Sequence, residues 1–455
     1  MTLIEKVDHQ IARQERLNPI LRAVITPMAD TARADAARRG ASGGTEAQAS
    51  GPLTGLTVAI KDNIDVAGVL STAGSAFFAD RVANADATVT ARLRTAGAVL
   101  IGKLNLHEFA FGGTTQNPHH GSCRNPWDTD HIPGGSSGGS GVAPAAGFCD
   151  VALGTDTGGS IRIPAALNGV VGLRPTVGRV PSTGSVPVSA MFDTIGPLAY
   201  RAADVATVFE AIAGHDPNCE MSVDMPVESW VSVRARGVSG LRVGLPDAFF
   251  FDGLDPEVEA AVRGLVATLS DLGLQVSKVD LPGIDAVHEQ MTNVLLCDAA
   301  TYHRERLEQT PERFGADVLE RMMIGYKTSG MDHAAGVIAQ RHWRRQVEGL
   351  FDHVDLIVTP TVGFPAPRIT DSAQMIAATR GVTRLTFPWS FAQVPALSLP
   401  CGFTKAGLPI GAQLVGRHFD EAVLLAVADA VQDVTDAHLR RPPLWADAST
   451  AWTDR

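Results

Sequence analysis

Two glycine-serine clusters and one lysine carry the residue types that could do chemistry in this chain. The first cluster, Pro133-Gly-Gly-Ser-Ser-Gly-Gly-Ser-Gly141, could cradle a phosphate, but Ser140 stands where a P-loop needs the lysine that meets the β- and γ-phosphates. The same run holds GxSxG in two overlapping registers, centred on Ser136 and Ser137. A nucleophile elbow would then need an acid and a histidine in order downstream. His418 is the best such histidine and has no obvious acid partner. The second cluster runs Leu153-Gly-Thr-Asp-Thr-Gly-Gly-Ser160-Ile-Arg162-Ile-Pro. A strand-like run ending in adjacent glycines lets the amides of Thr157, Gly158, Gly159 and Ser160 converge on one point, which is how an oxyanion hole is built. A tight turn that merely contains a serine is the plainer reading of the same residues.

A serine hydroxyl is a poor nucleophile until something takes its proton. Lys61, at the end of the apolar run Thr57-Val-Ala-Ile, is the candidate base, because a buried lysine loses its charge and becomes a proton acceptor near neutral pH. Metal chemistry finds less to work with. His107-Glu108 opens like HExxH but has Phe111 in the last place, and His119, His120 and His131 read as loop histidines.

The elements that must position these groups alternate. Leu3, Val7 and Ile11 recur at helical spacing and Met28–Arg39 is alanine-rich, so two helices are expected around Asn18-Pro19, followed by a flexible connector through ASGGTEAQASGP. Strands are expected at Val58–Ile60 and Ala98–Ile101, with a helix over Ala87–Ala96 between them. From Phe111 to Gly184 periodicity fades into a glycine-, serine- and proline-dense stretch of the kind usually tied to function. Helices are expected at Ala202–Ile212, from Asp255-Pro256 to Gly273, over most of 285–352 and at Glu421–Asp433. The segment His215–Gly240 reads as loop. Strands resume at 355–360, 396–400 and 411–416. The expectation is one α/β domain over 1–455: N-terminal helices and linker over 1–50, a core over 55–200, a mostly helical region over 203–350 and a C-terminal part of the core over 350–430.

Composition bounds the rest. The 455 residues are 45% apolar and 19% charged, enough to bury a large core. The 38 basic and 49 acidic residues give a formal charge of −11, without a basic patch, so nucleic acid and anionic membrane are not expected as partners. Five dispersed cysteines, no CxxC spacing and no run of about 18 apolar residues point to an unexported, cytoplasmic protein.

Taken together, Lys61 in AIKDNIDVAG, Pro133–Ser140 in PGGSSGGS and Asp156–Pro164 in DTGGSIRIP resemble the amidase signature family, with that family's order and separations. Supporting similarity lies in GAVLIGKLN from Gly97, Arg124-Asn-Pro-Trp, GLRPTVGRV from Gly172 and LPIGAQLVGRHFDEA from Leu408. The resemblance is strong over about 55–200 and moderate over about 350–430. It implies a mixed central β-sheet surrounded by α-helices and hydrolysis of an amide-type C–N bond through an acyl-enzyme. It casts Ser160 as nucleophile, Ser136 as bridging serine after a cis peptide from Gly135, and Lys61 as base. Ser137, Asp156 and Arg162 become supporting residues, and Phe111, Gly112 and Gly113 an acyl-pocket loop. No metal or organic cofactor is implied.

The family acts on amides, esters, anilides, hydrazides and carbamates, and includes the glutamine-hydrolysing component of an amidotransferase that works with partner proteins on charged tRNA. This chain reads TTQNP at Thr114–Pro118 where those components tend to carry STEN, and Glu320 where they tend to carry paired basic residues. The expectation is therefore an amidase on a small-molecule substrate, possible carbamate cleavage included, and the amidotransferase component is the alternative. Phe364, Phe387, Trp389 and Phe391 suggest an apolar or aryl-tolerant pocket. Many members begin with an additional helix ahead of the region matching Leu3, which leaves the outer layer and the oligomeric interface open, with a homodimer as the assembly to look for.

Overall fold

Strand β2 (Thr57–Lys61) shows how the sequence sets the architecture. Its residues alternate sides: Val58 and Ile60 join one apolar cluster and Ala59 another, so Lys61 shares the Ala59 side, and both faces of the strand are buried. The computed structural model describes residues 1–41 and 51–445, and β2 lies inside an 11-stranded mixed sheet. The other strands of that sheet are β1 (Val24–Pro27), β3 (Val99–Leu104), β6 (Val151–Asp156), β7 (Val171–Arg174), β8 (Thr194–Ala199), β9 (Arg242–Leu245), β10 (Gln275–Lys278), β11 (Leu356–Pro360), β12 (Ala396–Phe403) and β13 (Pro409–Gly416). A separate two-stranded hairpin pairs β4 (Gln116–Asn117) with β5 (Gly121–Ser122). The order across the large sheet is β1-β3-β2-β6-β8-β7-β12-β13-β11-β9-β10. Neighbours β3, β2 and β6 run parallel, and β6 meets β8 antiparallel with Thr155 opposite Ile195.

Helices cover both faces, giving a single-domain α/β fold. On one side Val205, Phe209, Val262, Leu265, Leu424 and Leu425 from three helices pack on Val58, Ile60, Leu100 and Leu153. On the other, the N-terminal helix supplies Val7, Ile11 and Leu17, and the helix Gly138–Ala145 supplies Val142 and Ala143. A third group joins helices Ile284–Tyr302, Ala316–Lys327 and Gly330–Leu350 to the sheet through Ile357, Ala396 and Val415.

Several expectations change. The first helix runs Leu3–Leu21 straight through Asn18-Pro19, because Asn18 organises its exit: the Asn18 Oδ1 accepts from the Ala23 and Val24 amides at 2.9 and 2.8 Å. β1 then separates it from the second helix, Ala29–Ala41. Most of the expected connector, 42–50, lies outside the described residues. The glycine-rich stretch is more regular than its pattern suggests, holding β6, β7 and the helices Gly138–Ala145 and Arg162–Asn168. The segment read as loop after His215 contains the helix Trp230–Ala235. The middle of the chain is not only helical, since β9 and β10 complete one edge of the sheet.

Candidate active site

Lys61 closes β2 with 0% of its surface exposed. Its Nζ lies 2.8 Å from Ser136 Oγ and 2.7 Å from Thr155 Oγ1, so the ammonium or amine meets two hydroxyls. Burial pushes Lys61 down from the ordinary lysine range to about 7, against the opposing pull of Asp193 and Asp156. Ser136 precedes the helix Gly138–Ala145, and the Gly135–Ser136 peptide is cis. The Ser136 carbonyl accepts from the His107 amide at 3.0 Å, which fixes the segment from the far side.

Ser160 follows β6 after the turn 157–159, and its carbonyl accepts from the Ser137 amide at 3.2 Å, tying the two serine clusters together. Asp156 organises that turn. It receives the Gly159 amide at 2.7 Å, the Ile161 amide at 3.2 Å, and guanidinium hydrogens from Arg162 and Arg174. Burial opposes its ionisation, but the two guanidiniums override that and hold the carboxyl well below the usual carboxylate range. The Gly159 amide is therefore spent on Asp156, which corrects the expected set of four oxyanion donors. Among the described residues the amides of Thr157, Gly158 and Ser160 have no protein acceptor. Gly159 sits at φ +134°, where an L side chain is strained, and a Cβ on Gly158 would run into the Phe387 ring.

The other expected residues fall around this point. Ser137 Oγ donates to the Thr155 carbonyl at 3.0 Å, and Arg162 reaches Ser390 Oγ at 2.6 Å and Gln413 Oε1 at 3.0 Å. A cavity of about 410 Å³ opens beside Ser160, with Phe111, Gly112, Gly113, Thr157 and Gly158 in its wall. Leu295, Leu296, Ile376 and Phe387 make much of the remainder apolar, while Glu289 and Arg380 stand at the same wall. Of the four aromatics expected there, Phe387 alone lines the cavity. Trp389 and Phe391 are core, and Phe364 packs with Val362 and Val382.

The alternatives separate from this site. His418 lies near Glu348, at 3.5 Å, and does not line the cavity. His107 Nδ1 accepts from the Thr115 amide at 3.2 Å while Nε2 meets Asp317 Oδ2 at 2.9 Å. Among the described residues no group of three or more His, Cys, Asp or Glu is placed to hold a metal ion, and no helix is long and apolar enough to cross a membrane. Thr155, Asp193 and Thr386 are neighbours of the site that sequence reasoning does not assign to it. Thr386, whose hydroxyl donates to the Gly158 carbonyl at 2.6 Å, comes from more than two hundred positions downstream, with no motif to mark it.

Comparison with known proteins gives a coherent set. The family model described as Amidase matches residues 5–425. The A subunit of the glutamyl-tRNA(Gln) amidotransferase of Chloroflexus aggregans (strain MD-66 / DSM 9485) is 42% identical over 477 residues, covering 98% of this chain and 95% of that protein. Among solved structures, one described as an unexpected vestigial protein complex revealing the evolutionary origins of an s-triazine catabolic enzyme matches with TM-score 0.89 and 33% identity, over 95% of each chain. The corresponding glutamyl-tRNA(Gln) amidotransferase protein from Thermotoga maritima matches with TM-score 0.78 and 30% identity, over 95% of this chain and 94% of that one.

These names overturn the expectation of a small-molecule substrate alone with no nucleic acid: full-length relatives are components of an enzyme named for a tRNA substrate. Net charge describes the field of one chain, whereas in an assembly a different chain can present the basic surface.

Proposed function

Because the chain belongs to the amidase signature family, we propose that it hydrolyses an amide-type C–N bond through an acyl-enzyme on Ser160, and that its substrate is a glutamine-type carboxamide, like that of the glutamine-hydrolysing component of an amidotransferase. The observation that carries the reaction is the contact of Lys61 Nζ with Ser136 Oγ at 2.8 Å in a fully buried position, where among the described residues hydroxyls and no carboxylate touch the nitrogen. Uncharged Lys61 takes a proton from Ser136 as Ser136 takes one from Ser160, whose oxygen adds to the carbonyl. Amides of the turn after β6 meet the developing oxyanion, a single good donor being worth about 3–4 kcal/mol. The proton returns through Ser136 to the leaving nitrogen, and water cleaves the acyl-enzyme by the same relay. Ser137, Asp156 and Arg162 hold the two serine segments, and Phe111, Gly112 and Gly113 border the acyl group.

The identity of 42% over nearly the whole chain supports the glutamine reading. A second reading is favoured by the cavity wall: Phe111, Leu295, Leu296 and Phe387 suit an uncharged aryl or aliphatic amide, anilide, ester or carbamate. One experiment separates them. Ammonia release from glutamine is measured with the purified chain, alone and with the partner proteins of an amidotransferase, beside a panel of aryl amides, aliphatic amides and aryl carbamates followed by product mass spectrometry. Glutamine turnover that Ser160→Ala abolishes supports the first reading, panel turnover without glutamine turnover supports the second, and neither in any arm ends the proposed reaction.

A further inference from the structure

Asp193 lies just ahead of β8, across from the turn that follows β6. Its Oδ1 accepts from the Thr157 hydroxyl at 2.5 Å, and its Oδ2 from the amides of Val188 and Ser189 at 2.8 and 3.2 Å. The carboxylate therefore joins the loop 188–193 to the first residue of the turn that presents Ser160. Two residues before Thr157, Thr155 holds Lys61 Nζ. The charges gathered here are Lys61, Arg162, Arg174, Asp156 and Asp193, of which the first four are fully buried. Both arginines bond Asp156, at 3.0 Å each, while Asp193 is met by a hydroxyl and amides. With Lys61 uncharged, the two arginines are matched by two carboxylates. With Lys61 protonated, or with the Asp193 charge removed, the cluster carries an excess cation.

We propose that Asp193 is a positioning residue of this site, clamping the turn after β6 through Thr157 and supplying the counter-charge that balances the environment of Lys61. The inference rests on the reading of Lys61 as the base of Ser160. Burial pushes the Asp193 carboxyl up to about 6, with Thr157, the two loop amides and Arg174 pulling the other way, so it is ionised where Lys61 gives up its proton. The groups facing the pair are few. Asp156 ends β6, Arg162 opens the helix that follows it, and Arg174 ends β7. Lys103 on β3 points to the opposite face of the sheet and is held there by Asp62 at 2.9 Å. From the helical side Asp298 takes the Ser189 hydroxyl at 2.6 Å and meets His333 at 3.1 Å.

The test reads the base directly, through the rate at which a fluorophosphonate labels Ser160 in the full chain between pH 5 and 9. In that reaction the Ser160 oxygen–phosphorus bond forms, fluoride leaves and the serine proton passes to Lys61. The wild-type rate is expected to rise with pH through the Lys61 midpoint of about 7. Asp193→Asn removes a negative charge that favours the ammonium, so the midpoint moves down by about one pH unit. Asp193→Ser removes the charge with a different side chain and moves the midpoint the same way, which covers failure of the first variant to fold. Asp193→Glu returns the midpoint toward wild type while the plateau rate stays low, because charge is restored without the clamp. Thr157→Val lowers the plateau about tenfold and leaves the midpoint in place. An unmoved midpoint in both uncharged variants overturns the inference and leaves the proposed reaction standing. A wild type that is labelled at no pH overturns the reaction itself, and this inference with it.

Discussion

Lys61 and Lys103 lie on the neighbouring parallel strands β2 and β3, both wholly buried, but Lys61 pairs with Leu104 and Lys103 with Ile60, so they point to opposite faces of the sheet, and only Lys61 is proposed to exchange a proton. Lys103 Nζ contacts Asp62 Oδ1 at 2.9 Å, Ser71 Oγ at 2.7 Å and the Leu70 carbonyl at 3.3 Å. Lys61 contacts two hydroxyls. Burial lowers the proton affinity of both, but Asp62 counters it at Lys103 through charge and a hydrogen bond. The pair teaches that burial alone does not make a base. What separates them is that a carboxylate touches only the Lys103 nitrogen, and the opposite charge beside it favours the ammonium.

The sharpest way to break the comparison is to exchange consequences. Lys61→Ala is expected to lower kcat/KM by about 10⁴-fold with the melting temperature nearly unchanged. Loss of stability without loss of turnover would make Lys61 a second clamp. Lys103→Met strands Asp62 in the interior and is expected to cost about 3–5 kcal/mol in denaturant unfolding. An unaltered unfolding midpoint there would remove the contrast from the other side. A third prediction follows from sign. In the proposed relay the working form of Lys61 is the amine, and because burial lowers its proton affinity to about 7, kcat/KM should rise with pH through 7 and level off above it. A rate that falls over that range would exclude an amine base. The smallest effect is expected at Thr155→Val, where Lys61 loses one hydroxyl neighbour and kcat drops about tenfold, without the stability loss of Lys103→Met.

What the sequence reveals, and what it hides, follows the range of the interactions. Lys61, Ser136 and Ser160 are each marked by short local patterns, so they can be read singly and then together. Asp193 cannot, because nothing near it in the chain hints that it faces Thr157 across an antiparallel pair. Strand β2 and the helix Pro256–Asp271 are legible from apolar runs and, for the helix, from the Asp255 cap, whose side chain accepts from Glu257 at 2.8 Å. β8 is hidden by Gly196-Pro197 inside it, residues that ordinarily argue against a strand. β10 is a four-residue edge strand with largely exposed residues and so has no buried alternation to detect. The helix through Pro19 escapes a local reading because the capping role of Asn18 outweighs the proline signal.

The Phe387 ring lies where any side chain at position 158 would have to go. Half of the cleft is therefore closed to adjustment: even one methyl group there must displace an aromatic anchored on the opposite side of the chain fold. Room to change which molecules the cavity admits is left to the helices carrying Leu295, Leu296 and Ile376, so an engineer reshaping it would redraw the wall and leave the floor alone.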